Sequence, residues 1–332
     1  MKVKPRFMGF SNNLKFKFLF SLILSALVFA VLTVYADFTN LLSAFKKFSW
    51  FYFPLILFLV FLNYLLRFWK WDHYLKILKI PVDKKNSFII FMSGLIMAVT
   101  PGKFGEVLKS YLLKKINLTP ITKSSPIILA ERVTDLLGLC AIAAAGAYSL
   151  HFGIKILTFT ILVIFGIIIV LGIEPLFLKI ITVVEKLPLV SKHAVKVERA
   201  YESASSLLAL KNLFFPTIIS ILSWFCECLA FYLVLLGLKS QVSCFNSAFI
   251  YSFATIVGAL SMLPGGIGTT ETSMTGILIL LKVLRPIAVA ATFIIRACTL
   301  WFAGIIGAIF FFTNRDKFGT LDEIIKSESL SQ

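Results

Sequence analysis

The chain has 332 residues, of which 59% are hydrophobic and only 15% charged, with a mean hydropathy of +0.93 and a formal net charge of +17. A soluble domain carries roughly a quarter charged residues, so the composition excludes a soluble fold and predicts an integral membrane protein with no independent soluble domain. The basic residues cluster between apolar runs, which fits membrane topology and contact with anionic lipid and leaves no basic soluble fold for nucleic-acid binding.

In chain order, Lys2, Lys4, Arg6, Lys15 and Lys17 precede the first apolar run, Phe18–Ala36. Its end, Val34-Tyr35-Ala36, resembles a signal-peptide cleavage site, but the run exceeds the ~7–15 residues of a signal core and reads as an uncleaved span. Five further runs are long enough to cross: Trp50–Leu66, Ile127–Leu150, Ile154–Ile173, Leu213–Leu238 and Ile287–Phe312. Trp50, Trp69, Trp71, Tyr74 and Trp301 sit near run ends, where an interfacial aromatic belt is expected.

Two other runs, Phe88–Ala98 and Ala248–Leu263, lead straight into helix-breaking turns. The first turn is Pro101-Gly102-Lys103-Phe104-Gly105-Glu106; the second is Pro264-Gly265-Gly266-Ile267-Gly268, followed by Glu271. Proline and glycine at bilayer depth free backbone groups that lipid cannot satisfy, so such turns survive only inside protein or beside a wet cavity. The reading is an all-α, polytopic helical bundle of about six full spans plus two re-entrant hairpins. Placing the N-terminus inside puts 25 lysines and arginines on the cytoplasmic side; Lys46, Lys47, Lys155, Lys239, Lys282 and Arg285 lie opposite. Arg67, Lys70 and Lys109 are counted among the 25. This layout expects the cytoplasmic membrane of a prokaryote, with both termini cytoplasmic.

The halves repeat. Pro101 to Pro264 and Gly105 to Gly268 are offset by 163 residues; Arg132 to Arg296 and Asn63 to Glu227 are offset by 164. The unit, span–hairpin–span, covers 50–150 and again 213–312, and an odd number of crossings between copies inverts them, as in many secondary transporters. Between the copies, 180–211 has mixed polarity. Val190, Ala194, Val197, Tyr201, Ala204 and Leu208 form one apolar stripe, which reads as a cytoplasmic amphipathic helix or as a linker helix packed on the bundle. Residues 313–332 form a polar tail.

Glu106, Glu131, Arg132, Asp135, Glu227, Glu271 and Arg296 fall within or beside the apolar layer, where an ionised side chain costs at least ~2.5–3.5 kcal/mol unless it faces the interior or water. On one helix Asp135 can bridge Arg132, leaving Glu131 to seek a partner, for which Arg296 of the other half is the expectation. The arginines suit an anionic head group, the carboxylates set the water content of the cavity, and helix N-termini after the turns add positive potential for a phosphate. The competing reading is an ion-pair network that only locks the hairpins to the bundle. Other chemistries lack their residues. There is no Gly-x-x-x-x-Gly-Lys-Ser/Thr loop for ATP and no His-Glu-x-x-His zinc spacing, and the serines have no histidine in a recognisable arrangement. Cys226-Glu227-Cys228 has no fourth ligand nearby, and the five cysteines read as small buried hydrophobes. No cofactor, metal or catalytic residue is expected.

Three segments together resemble one family: Pro101-Gly-Lys-Phe-Gly-Glu-Val-Leu-Lys-Ser-Tyr-Leu-Leu113, Glu131-Arg-Val-Thr-Asp-Leu-Leu137 and Pro264-Gly-Gly-Ile-Gly-Thr-Thr-Glu271. In order and spacing they are similar to the transmembrane, flippase-like part of lysylphosphatidylglycerol synthases and its stand-alone relatives, over almost the whole chain. Lys109 departs from the pattern, where arginine is more usual. The resemblance implies movement of an anionic or modified lipid between leaflets, with Lys103 and Lys109 joining the charged residues above at the site. Two-part members carry a lysyltransferase domain of ~100 residues or more; with only Thr313–Gln332 after the last run, that activity is not expected here. A polyprenyl-phosphate-linked sugar, handled beside a glycosyltransferase or another lipid-modifying enzyme, is an alternative cargo. A small-solute secondary transporter and a non-transporting membrane scaffold remain the other readings.

Overall fold

A computed structural model describes residues 12–99, 107–150, 153–172 and 194–318. Among them the secondary structure is helical, with no strand. The first half comprises α1 (Asn12–Ala36), α2 (Phe38–Lys47), α3 (Phe53–Ile77), α4 (Lys84–Gly94), α5 (Val107–Asn117), α6 (Ile121–Ser124), α7 (Pro126–Leu150) and α8 (Ile154–Gly172). The second comprises α9 (Ala194–Leu208), α10 (Leu210–Gly237), α11 (Cys244–Leu260), α12 (Thr269–Leu280), α13 (Arg285–Arg296), α14 (Phe302–Thr313) and the short α15 (Arg315–Phe318). The turn residues Pro101, Gly102, Lys103, Gly105 and Glu106, part of the connector (180–193) and the end of the tail (319–332) lie outside the described residues.

By length and composition four helical segments among the described residues can cross a membrane: Trp50–Ile77, Ile154–Leu171, Leu210–Gly237 and Arg285–Thr313. The first expected span, Phe18–Ala36, ends at a sharp bend: Ile23–Ala36 and Phe38–Lys47 meet at 94°, with Asp37 at φ 63° in the elbow capping α2 through its side chain. α7 has the length of a span at 25 residues, but Glu131, Arg132 and Asp135 interrupt its apolar character. All six expected runs therefore coincide with long helices, although composition alone certifies fewer of them. α4 and α5 are 11 residues each, about 16 Å at ~1.5 Å per residue, so neither bridges a ~30 Å hydrocarbon core.

The central pair is α3 against α10, tied by the Asn63 side-chain amide, which donates to the Ser223 carbonyl at 2.8 Å. Around it the halves exchange elements. The tip of the first hairpin, the 3₁₀ segment Leu95–Val99, packs on α14, where Gly307 leaves no room for a Cβ against Ile96 N. The corresponding arm of the second half, α11, packs on α7, where Gly146 admits the Phe249 ring. Small residues at such crossings let helix backbones approach when lipid supplies no hydrophobic drive. The hairpin tips also touch: Gly265 stands so close to the Ala98 carbonyl that a Cβ there would lie 3.3 Å from it.

α9 carries Ala204, Leu207 and Leu208 on its buried face and packs against α6, α7 and α8. The connector helix thus lies on the bundle. The aromatic-belt expectation needs correction at two residues. Trp50 and Trp69 are exposed, but Trp71 and Tyr74 are fully buried, because the face of α3 that carries them turns inward.

Candidate functional site

Between the halves lies a cavity of about 150 Å³. Its wall takes Tyr64 and Arg67 from α3, Phe91, Gly94 and Ala98 from the first hairpin, Lys109 from α5 and Arg132 from α7. The second half supplies Trp224 and Glu227 from α10, Tyr251 and Gly258 from α11, Gly265 and Gly266 from the turn, and Arg296 from α13. Among the described residues four cationic side chains and one carboxylate therefore face one space.

The second turn is built by three glycines and one arginine. Gly265, Gly266 and Gly268 have φ of 55°, 66° and 91°, conformations in which a Cβ is strained. Glu271 Oε2 accepts from the Gly268 N–H at 2.7 Å and closes the first turn of α12; its Oε1 accepts from Arg296 Nε at 2.6 Å. Arg296 Nη2 donates to the Gly265 carbonyl at 2.7 Å. One guanidinium thus satisfies a backbone carbonyl that the turn leaves without a helical partner and neutralises a fully buried glutamate. Directly after Arg296 the chain widens into a π segment, Ala297–Trp301, and the Thr299 carbonyl accepts from the Tyr64 hydroxyl at 3.0 Å.

In the first half Lys109 Nζ donates to Glu131 Oε2 at 2.5 Å and lies 4.7 Å above the Trp71 ring and 5.3 Å from the centre of Phe91. Its stem crosses α4 at Gly94, where a Cβ would meet Lys109 Cγ at 2.6 Å. The expected pairing of Glu131 with Arg296 is therefore wrong. Each finds its partner within its own half: α12 packs directly on α13, whereas α5 packs mainly on α4 and the long Lys109 side chain reaches Glu131 on α7.

Asp135 corrects the reading again. It meets Arg132 only at 3.9 Å and Arg67 at 3.8 Å; its close partner is Lys70, whose Nζ donates to Oδ1 at 2.5 Å. Lys70 is fully buried and also donates to Ser220 Oγ at 2.8 Å. Charge counting assigned Lys70, Arg67 and Lys109 to cytoplasmic flanks; all three belong to the interior, and the basic bias survives their removal. The signal for the first two was the stripe Asn63, Tyr64, Arg67, Lys70, Trp71, Tyr74, whose three- and four-residue spacing continues one helical face past the end of the apolar run.

Glu227 is buried at the cavity wall and accepts from the Tyr251 hydroxyl at 2.5 Å. Arg67 lies 5.6 Å from the centre of the Trp224 ring. Of the expected site residues, Lys109, Arg132, Glu227 and Arg296 line the cavity, Glu131, Asp135 and Glu271 stand directly behind them as partners, and Glu106 and Lys103 lie outside the described residues. Pro264 is buried in the turn. Tyr64, Arg67, Trp224 and Tyr251 are lining residues that sequence reasoning missed. Among the described residues no group of three or more His, Cys, Asp or Glu could hold a metal.

Comparison with known proteins places this architecture. Residues 18–307 match the family described as the lysylphosphatidylglycerol synthase TM region. A UPF0104 membrane protein of Methanothermobacter thermautotrophicus is 28% identical over 234 residues, covering 62% of this chain and 66% of that protein. One from Methanocaldococcus jannaschii is 25% identical over 230 residues, covering 65% of this chain and 93% of that protein. The family match spans both hairpins and every cavity-lining helix, so this chain belongs to the lysylphosphatidylglycerol synthase TM region family.

Proposed function

We propose that the protein moves an anionic or modified lipid between leaflets, its head group passing through the inter-repeat cavity while its chains stay in the bilayer. The observation that carries this reading is the convergence of Arg67, Lys109, Arg132 and Arg296 on one partly open cavity. Ionised groups inside a membrane protein mark substrate paths by default, and arginine matches phosphate geometry. A cavity of about 150 Å³ corresponds to roughly five waters at ~30 Å³ each, enough for a small phosphate head group and too small for an acyl chain. A second, apolar groove runs outside the second turn, lined by Leu24, Val257, Leu263 and Ile267. Ile267, which lines the groove, packs with Leu300, which lines the cavity, and this adjacency suits a cargo with a charged head and an apolar tail.

The basic residues outside the cavity support a cytoplasmic-membrane location with both termini inside, and the offset helices support two inverted copies. Arg296 also latches the second turn, so locking and binding are two uses of the same side chain. The test is reconstitution into vesicles containing fluorescent phosphatidylglycerol and, separately, a fluorescent polyprenyl-phosphate sugar. Accelerated exchange of either lipid to the outer leaflet, lost in Arg67→Ala, is the expected result; no exchange of either by folded protein overturns the reading.

A further inference from the structure

We infer that Glu227 is a proton-binding site coupled to the anion site, so that an anionic head group enters together with a proton. This deepens the reading above, since it takes the cavity to bind an anion. The four described carboxylates of this core are not equivalent. Glu131 has Lys109 at 2.5 Å, Glu271 has Arg296 at 2.6 Å, and Asp135 has Lys70 at 2.5 Å with Arg67 and Arg132 beyond. Each has a cation in direct contact, and none of the three lines the cavity.

Glu227 lines the cavity and has no ion-pair partner within 4.0 Å among the described residues; its one hydrogen-bond partner is the neutral phenol of Tyr251. The charged and titratable groups around it come from the helices packed on α10 and from across the cavity: Tyr64, Arg67 and Lys70 on α3, Arg132 and Asp135 on α7, Tyr251 on α11, Arg296 on α13 and Lys109 on α5, with Cys226 and Cys228 on its own helix. The remaining neighbours of α10 meet its ends: α9 precedes it, and Ser49 N donates to the Gly237 carbonyl.

A head group in this space stands a few ångströms from Glu227, in surroundings that screen charge poorly, and draws on the same Arg67 and Arg296 field. Two negative charges so placed disfavour each other, so occupancy by the anion favours the protonated carboxyl. Once protonated, Glu227 becomes a hydrogen-bond donor to a phosphate oxygen instead of a repelling charge. Linkage is reciprocal: whatever the anion does to proton affinity, the proton does to anion affinity.

The test uses purified full-length protein in detergent, weakly buffered with a pH-indicator dye, and glycerophosphoglycerol as probe, a phosphodiester that carries one charge and does not itself titrate. Across a pH series, wild-type protein is expected to take up close to one proton per probe bound, and the half-saturating concentration rises by up to about tenfold per pH unit. Glu227→Asp keeps the uptake and Glu227→Gln abolishes it, together with the pH dependence, whatever its absolute affinity. Infrared difference spectra of the wild type should gain the carbonyl band of a protonated carboxylic acid on probe addition, a readout that needs no variant to fold. Absence of uptake and of that band in wild-type protein, whether or not the probe binds, overturns the inference, as does uptake that persists in Glu227→Gln. Uptake without lipid exchange in vesicles sinks the transport reading alone; lipid exchange without uptake sinks the proton site alone.

Discussion

Gly94 and Gly258 stand 164 residues apart and do the same work: each lets the helix after its own hairpin turn press against the helix before it. At Gly94 the space is taken by the stem of Lys109, and at Gly258 by Thr270, whose Oγ1 would lie 2.0 Å from an added Cβ.

Gly258→Ala is therefore expected to force α11 and α12 apart and cost about 1–3 kcal/mol, as overpacking does. Gly276, in the middle of α12, has nothing within 4 Å of an added Cβ. Gly276→Ala should be neutral or stabilising by up to ~1 kcal/mol, because alanine is the better helix former. Thermal unfolding of both variants in the same detergent checks the pair, and equal shifts would show that the close approach at Gly258 is unimportant.

Lys70 and Asp135 form an ion pair buried on both sides. Lys70→Ala is expected to cost about 3–5 kcal/mol by stranding a buried carboxylate, an effect reduced to the extent that Arg67 and Arg132 move in from 3.8 and 3.9 Å. Replacing both residues by apolar side chains of similar volume, Lys70→Met with Asp135→Leu, should recover most of the loss. A double-mutant cycle on unfolding midpoints measures it.

Arg296→Lys keeps the charge but cannot reach Glu271 and the Gly265 carbonyl together, so it should destabilise by about 1–3 kcal/mol and speed amide exchange in the second turn. Arg67→Ala removes a loose 3.8 Å ion pair and a distant contact with the Trp224 ring and should cost less than about 1 kcal/mol in unfolding. If Arg67 contacts the head group, the same substitution weakens anion binding by about ten- to a hundredfold. Binding isotherms and melts on both variants separate latch from ligand.

Two exposed caps give a pH dependence. The Asn86 backbone N–H holds the Asp83 carboxyl below its ordinary value, and the Thr39 side chain does the same for Asp37. A carboxyl depressed in the folded state contributes stability that is fully present above its unfolded pKa and fades as pH falls through the folded value. Amide exchange at the starts of α2 and α4 should therefore rise in acid below about pH 4. Asp37→Asn and Asp83→Asn should remove that rise while keeping a cap.

The sequence announced the elements better than the contacts. Apolar runs located the long helices and the second proline–glycine stretch located its turn, since those follow from local chemistry. Partner choice did not follow: Glu131 takes Lys109, and Arg296 takes Glu271, because a side chain's reach depends on how neighbouring helices cross. Lys70 was lost because counting basic residues past the end of an apolar run assumes that the helix stops there. α3 instead continues to Ile77 and keeps its inward face. Tyr251 carried no signal, being one aromatic in a run that is apolar all round.

The two ion pairs occupy matching helices with their signs exchanged: cation on α5 and anion on α7 in one half, anion on α12 and cation on α13 in the other. A lysine ammonium reaches one carboxylate, whereas a guanidinium grips a carboxylate and the turn carbonyl at once, so the second half is braced at two points where the first pair has one.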